Sequence, residues 1–344
     1  MSNDYYDIRK IQKTRSRNTC PIEGCNASLQ TAPSQWGDMP FCPLHFIRIH
    51  KETFVYYNGS SREENKTAAL RNIRFNKKIF AESFLDKTNK AESHRICHET
   101  SEDALTWNVF TEILVNGYLD EVAKLITQRK NIKGSKLILW GQSIDCKNPP
   151  SVFEPLEKAR SLFEGDLTTR FLTEPDVIIY VHGEVVIGIE AKFTSTNPIA
   201  TNDITKDEEG DKPKSREGLI KRYNPHYLKN KEFHPETYKG QFLSQIYRNL
   251  IFASHMAIST NTEWYFCNLI SEKQMLKKDK LSFQNIEAFY KGIIADEKAK
   301  HASLLTWEKI YESVIQSETK MEKLASYMIE KTANLERAFN LKTV

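Results

Sequence analysis

Residues Glu174–Phe193, EPDVIIYVHGEVVIGIEAKF, constrain the chain more than any other stretch. Two β-branched runs flank Gly183, and charged side chains sit at the ends furthest from it. β-Branched residues with a glycine-centred break between them predict a hairpin. With a three-residue loop, His182-Gly183-Glu184, Asp176 falls directly across from Glu190. Such partners share a face of the sheet, with Cβ atoms roughly 4.5–5.5 Å apart. Lys192 lies two residues beyond Glu190 and so projects to the same face, about 6–7 Å along the strand. The opposite face carries Val177, Ile179, Val181, Ile187, Ile189 and Ala191. Near the turn the carboxylate face is itself apolar, with Ile178, Tyr180 and Val186. Strands apolar on both sides belong inside a sheet covered on both faces.

Two carboxylates facing each other in a core hairpin destabilise it unless something neutralises them. A divalent cation between Asp176 and Glu190 removes that cost, whereas Lys192 alone offsets only part of it. Mg²⁺ takes oxygen ligands, keeps several waters and combines one or two carboxylates with phosphate oxygens. Held there it polarises a phosphate and lowers the pKa of an attacking water. An ammonium group alongside orients that water or stabilises the developing negative charge. The pattern therefore predicts phosphodiester hydrolysis. A lone Glu-x-Lys would read better as a salt-bridged edge strand. The acid placed opposite and the apolar flanks weigh against that here.

The remaining chain supplies a setting for the hairpin. Its 344 residues suffice for a main domain with an appendage, and 40% hydrophobic with 27% charged residues is ordinary for a globular protein. A net charge of +4 permits a nucleic-acid partner without arguing for one. No run is long and apolar enough for a membrane helix and the N-terminus lacks a signal-peptide core, so a cytoplasmic location is expected. TSEDALTWNVFTEILVNGYLDEVAKLI, 100–126, has the periodicity of a helix over 101–127, an N-cap at Thr100 or Ser101, and Glu102 and Asp103 in the first turn. GSKLILWGQS reads as one strand, and 145–173 as loop with a short helix near 155–163. The polar segment 195–239 is longer than an ordinary connection. An amphipathic helix from about Tyr238, the strand EWYFCNLI and helices over 283–340 follow. The expected fold class is mixed α/β, with helices covering a central sheet.

The hairpin residues, taken with that order of elements, resemble the PD-(D/E)XK nucleases of the restriction-endonuclease-like superfamily. Pro175-Asp176, the hairpin and Glu190-Ala191-Lys192 carry the motif, and the likeness covers about 100–270. The resemblance implies that Asp176 and Glu190 ligate Mg²⁺, that the Ala191 carbonyl adds a ligand, and that Lys192 positions the nucleophilic water. Many members add a glutamate from the first core helix. Glu102 matches best, with Glu99 and Asp103 as competitors, although a carboxylate complementing a helix N-terminus explains Glu102 equally well. Some members carry a glutamine helix after the motif strand, which QFLSQIYR resembles through Gln241, Gln245 and Tyr247. The usual Gln-x₃-Tyr spacing is not met, because Gln245 stands where the tyrosine would be, and an amphipathic surface accounts for these residues too.

The N-terminal region offers a second metal reading. Cys20-x₄-Cys25-x₁₆-Cys42-x₂-His45 has the two-knuckle spacing of a tetrahedral Zn²⁺ site, with His50 as a replacement for His45. Four protein ligands make such a zinc structural. Three unrelated thiols and a surface histidine are the plainer alternative. Cys97, Cys146 and Cys267 read as small buried residues. The basic residues Arg9, Lys10, Lys13, Arg15, Arg17, Arg48 and Lys51 suit DNA phosphates or a solvated surface equally. Lys221, Arg222, Tyr223, His226, Tyr227 and Lys229 mix charge and aromatics as a nucleic-acid contact does, but a solvated loop accounts for them better. His182 is a turn residue.

These readings divide the chain into a zinc module with a basic arm (1–58), a helical connector (59–98), a nuclease core (99–282) and C-terminal helices (283–344). They predict a Mg²⁺-dependent DNA endonuclease of restriction or defence type, its zinc module aiding DNA binding. Double-strand cleavage needs two active sites, so a homodimer is expected. A nucleic-acid-binding or assembly protein that retains the fold without cleaving, a structure-specific nickase and an RNA nuclease are the alternatives.

Overall fold

The computed structural model describes residues 19–32, 38–50, 53–56, 62–85, 96–145, 147–167, 172–202, 213–223, 232–275 and 285–342. Arg9, Lys10, Lys13, Arg15, Arg17, Lys51, Cys146, His226, Tyr227 and Lys229 lie outside them, as does the side chain of His50. The chain divides into two units, one of residues 1–116 with 315–344 and one of 117–314.

The first unit opens with four short antiparallel strands in sequence order, β1 (Gln30–Ala32), β2 (Met39–Cys42), β3 (Ile47–His50) and β4 (Thr53–Tyr56). Helices α1 (Arg62–Asn72) and α2 (Glu102–Val115) follow. Ser101 caps α2 by accepting the Ala104 N–H at 3.2 Å. The helical pattern expected as one run to residue 127 is broken. Asn116 caps α2, Gly117 takes φ +82°, and a separate helix α3 (Leu119–Thr127) begins. Glycine adopts that left-handed backbone without a Cβ penalty, so it ends a helix whose apolar periodicity would otherwise continue.

The second unit is built on a seven-stranded mixed sheet. Its strands are β5 (Lys136–Leu139), β6 (Gln142–Asp145), β7 (Asn148–Val152), β8 (Val177–Val181), β9 (Val185–Ala191), β10 (Glu263–Ile270) and β11 (Ala302–Thr306). Their spatial order is β11-β10-β9-β8-β5-β6-β7. Strands β9, β10 and β11 run parallel, and every other neighbour pairing is antiparallel. The β8–β9 register runs from Val177 opposite Ile189 to Val181 opposite Val185, as the sequence predicts, with Gly183 at φ +72° in the three-residue turn.

Three expectations are corrected. The stretch read as one strand is two, β5 and β6, because Trp140 (φ 50°) and Gly141 (φ +81°) form a two-residue hairpin turn. The loop after 145 contains β7, an exposed edge strand that tolerates two prolines, before helix α4 (Glu154–Glu164). The segment 283–340 is not all helical. It holds β11, which extends the sheet beside β10, and the ribbon β12 (Thr332–Ala333) with β13 (Glu336–Arg337) in the first unit. The strand β11 is half-buried and five residues long, too short and too little alternating to stand out among helical neighbours.

The parallel step from β9 to β10 needs a long crossover. It includes α5 (Arg216–Arg222) and α6 (Ser244–Thr260). Helices α6 and α4, with α7 (Ile286–Ile293), cover one face through a cluster that includes Ile178, Val186, Leu156, Phe163, Leu250, Phe252, Ala253 and Phe289. The last labelled helix, α8 (Glu322–Glu330), belongs to the first unit.

Candidate active site and metal cluster

Strand directions place the C-terminal ends of β5, β9, β10 and β11 and the start of β8 at one end of the sheet. In open α/β sheets this is where ligands bind, because the strand ends open into loops and helix starts. Asp176, Glu190 and Lys192 all lie here. The described ladder ends at Val177–Ile189, which leaves Asp176 at the next position across from Glu190. Instead of continuing the ladder, Asp176 Oδ2 accepts the backbone N–H of Ala191 at 2.9 Å.

Glu190 is fully buried and Lys192 nearly so. Lys192 Nζ donates to Glu190 Oε1 at 2.5 Å and to Gln245 Oε1 at 3.2 Å. Asn249 Nδ2 donates to Glu190 Oε2 at 2.6 Å. Gln245 and Asn249 are one helical turn apart on α6, so a single helix face reaches both members of the ion pair. Gln245 was legible from the sequence. Asn249 was not, although the i, i+4 spacing from Gln245 is the signal that finds it. Gln241 and Tyr247, the other candidates, serve elsewhere. Gln241 Oε1 accepts from Asn285 at 3.1 Å, and buried Tyr247 donates to the Tyr223 carbonyl at 3.0 Å.

The backbone beneath the pair is also fixed. Asn268, opposite Glu190 on β10, donates Nδ2 to the Glu190 carbonyl at 2.9 Å and accepts from Asn197 at 3.0 Å. Lys192 N–H donates to the Leu269 carbonyl at 2.7 Å, and Trp307 Nε1 donates to the Lys192 carbonyl at 3.0 Å. A carboxylate held without exposure among these partners cannot be randomised by solvent. Its charge is met by one ammonium and one amide. The donor set that Asp176 and Glu190 offer is all oxygen and anionic, which suits Mg²⁺ or Ca²⁺.

Glu102 and Asp103 sit in the first turn of α2, in the first unit. Glu99 is engaged within that same unit. It accepts from Tyr56 Oη at 3.2 Å, from the N–H and hydroxyl of Thr332 at 3.2 and 3.1 Å, and lies 3.3 Å from Lys331 Nζ. Burial alone would lower the Lys331 pKa, but the Glu99 carboxylate and the Tyr327 hydroxyl beside it together outweigh this and raise it. Tyr56, Glu99 and Lys331 line a cavity of about 360 Å³ with Arg71, Asn72 and Tyr327.

The four predicted N-terminal ligands do converge. Cys20, Cys25, Cys42 and His45 present ligand atoms all within 4.8 Å of one another, and three of the four residues are buried. Cys25 and Cys42 sulfurs are 3.8 Å apart, and His45 Nδ1 lies 3.5 Å from the sulfurs of Cys20 and of Cys42. A tetrahedral zinc with Zn–S about 2.3 Å and Zn–N about 2.0–2.1 Å has edges near these values. Gly24, at φ +76°, makes the turn into Cys25, and the Phe46 N–H closes on the Cys42 carbonyl at 2.9 Å. Arg71 of α1 fixes the second turn, donating to the carbonyls of His45 and Phe46 at 2.8 and 2.6 Å. Burial pushes the Cys20 thiol well up, and burial followed by the Arg71 charge lowers His45. Among the described residues this is the group of three or more Cys, His, Asp and Glu that could hold a metal ion.

Cys97 and Cys267 are buried, as expected. Arg48 is buried and so is not a surface phosphate contact. Tyr223 is fully buried and Arg222 forms two hydrogen bonds to Asp166, at 2.5 and 2.8 Å, so both dock α5 and neither is left to stack on a base. His182 is an exposed turn residue 3.1 Å from Tyr180 Oη. No described helix is long and apolar enough to cross a membrane.

A family model described as Restriction Endonuclease associating with ARP matches residues 52–331. No curated protein and no solved structure matches the chain.

Proposed function

Because the chain belongs to the family of restriction endonucleases associating with ARP, we propose that it is a Mg²⁺-dependent endonuclease that hydrolyses DNA phosphodiester bonds. The observation that carries this reading is the register that sets Asp176 across from Glu190, with Lys192 on the Glu190 carboxylate. Asp176, Glu190 and the Ala191 carbonyl are the residues that would hold the cation. When bound, it would polarise the scissile phosphate and acidify the attacking water. Lys192 would orient that water, since its ammonium stands 2.5 Å from one ligand carboxylate and is steadied by Gln245. Asn249 holds the other Glu190 oxygen and so limits the directions in which the carboxylate can turn. The role of Glu102 rests on the family likeness alone. The Cys20, Cys25, Cys42 and His45 cluster would hold a structural zinc, with all four positions filled by protein and none left for substrate. The family description also makes an ARP protein a partner, and two copies of the chain would serve double-strand cleavage.

The test is plasmid cleavage by purified protein, with and without Mg²⁺, beside Asp176→Ala and Lys192→Ala. Metal-dependent cutting by the wild type, lost in both variants, is the expected result. Identical behaviour of all three proteins rejects catalysis at this site and leaves a binding or assembly role.

A further inference from the structure

Asp176 stands just outside its strand, so something other than the β8 ladder must hold it. We propose that Glu164, through Thr173, is a positioning residue for Asp176, and that α5 is fastened to the same carboxylate. The mechanistic side of this rests on the nuclease reading. The structural side does not.

Glu164 ends α4 and is fully buried. It accepts the Thr173 N–H at 2.5 Å, the Thr173 hydroxyl, and the Tyr223 hydroxyl at 2.6 Å. One turn earlier on the same helix, Arg160 donates Nε to the Thr173 carbonyl at 2.9 Å and lies 3.9 Å from the Glu174 carboxylate. Both backbone groups of Thr173 are therefore gripped from α4. Only Glu174 and Pro175 separate it from Asp176. Proline fixes its own φ and restricts the residue before it, so this link has few free torsions. A position imposed at Thr173 is passed on to Asp176. At the far end of the link, Asp176 meets the Ala191 N–H.

A buried carboxylate is costly unless its lone pairs are satisfied. Here three donors satisfy it, and they come from two different segments. Tyr223 follows α5, which lies within the long crossover between β9 and β10, and Arg222 beside it is paired with Asp166. Helix α5 is thus tied to the segment that delivers Asp176. A basic, aromatic surface would have been the simpler use of Arg222 and Tyr223, and both are spent on this junction instead.

The Ala191 amide gives a direct readout, because its hydrogen bond ends on Asp176 itself. The variants are Thr173→Val, which keeps the side-chain shape but loses the hydroxyl, Thr173→Ser, which restores it, and Asp176→Ala as the reference for full release. Amide exchange at Ala191 is expected to rise about tenfold in Thr173→Val, the equivalent of one ordinary hydrogen bond, and to return in Thr173→Ser. Amides within the β8–β9 ladder should keep their protection. An unchanged Ala191, or one that changes only together with the whole hairpin, overturns the proposal. In the cleavage assay, the Mg²⁺ concentration for half-maximal cutting should rise about tenfold with Thr173→Val. Protein that cuts no DNA defeats the nuclease reading, while Ala191 exchange still decides whether Glu164 positions Asp176.

Discussion

Lys192→Met separates the charge that Lys192 supplies from the space it fills. Glu190 is fully buried and its carboxylate has two close partners, Lys192 at 2.5 Å and Asn249 at 2.6 Å. Removing the ammonium leaves a buried anion with one neutral amide, a change that costs about 3–5 kcal/mol. With a urea slope near 3 kcal/mol per molar, the unfolding midpoint of the sheet-bearing unit should fall by roughly 1–1.7 M. Glu190→Gln keeps the shape and the Asn249 contact but takes the counter-charge from the lysine, which retains Gln245. The double variant removes both charges, so its loss should be smaller than the sum of the single losses by about 2 kcal/mol or more. Ca²⁺ adds a second arm. If Asp176 and Glu190 share a cation, Ca²⁺ at ten times its Kd should return about 1.4 kcal/mol to Lys192→Met and nothing to Glu190→Gln. The measurement is urea denaturation read by hydrogen exchange of β8 and β9 amides. Additivity within about 0.5 kcal/mol would refute the pairing, and a Ca²⁺ response equal in both variants would refute the shared cation.

Two further outcomes test the first unit. Cys25→Ser should abolish stoichiometric metal content and lower the unit's melting temperature to that of chelator-treated protein, as measured by elemental analysis and calorimetry. Metal affinity should also weaken as pH falls, because burial raises the Cys20 thiol and binding must expel its proton, while the lowered His45 stays neutral and offers no competing proton near pH 7. A competing chelator titrated between pH 6 and 8 should report a loss of about tenfold per unit for each proton released. Lys331→Met should destabilise the first unit by about 3–5 kcal/mol, since Glu99 would remain buried without its ammonium. The raised pKa of Lys331 means that its stabilising contribution is fully present below the ordinary lysine value of 10.5 and is lost as pH rises through the folded value. Urea midpoints for wild type and Glu99→Gln should therefore converge only in strongly alkaline solution.

The sequence alone determined whatever depends on local spacing. The three-residue loop centred on Gly183 specified the β8–β9 register, because in a hairpin the loop length fixes which residues stand opposite one another. Ligand chemistry and loop length were enough to bring out Cys20, Cys25, Cys42 and His45, since few other patterns put four soft donors on two short turns. The edge strands β7 and β11 were not legible, because the one is exposed and the other half-buried throughout, so neither carries periodicity, and the partner of β11 lies 36 positions back in the chain. Asn249 acquired meaning only when α6 was laid across β9, and Glu164 only when Thr173 and Tyr223, 9 and 59 positions further along the chain, were brought to it. A buried charge is defined by its partners, and these lie from 2 positions away, Lys192 for Glu190, to 233, Thr332 for Glu99. Spacing along the chain fixes which residues share a strand face or a turn. Only tertiary packing decides which distant side chain satisfies a carboxylate that solvent cannot reach.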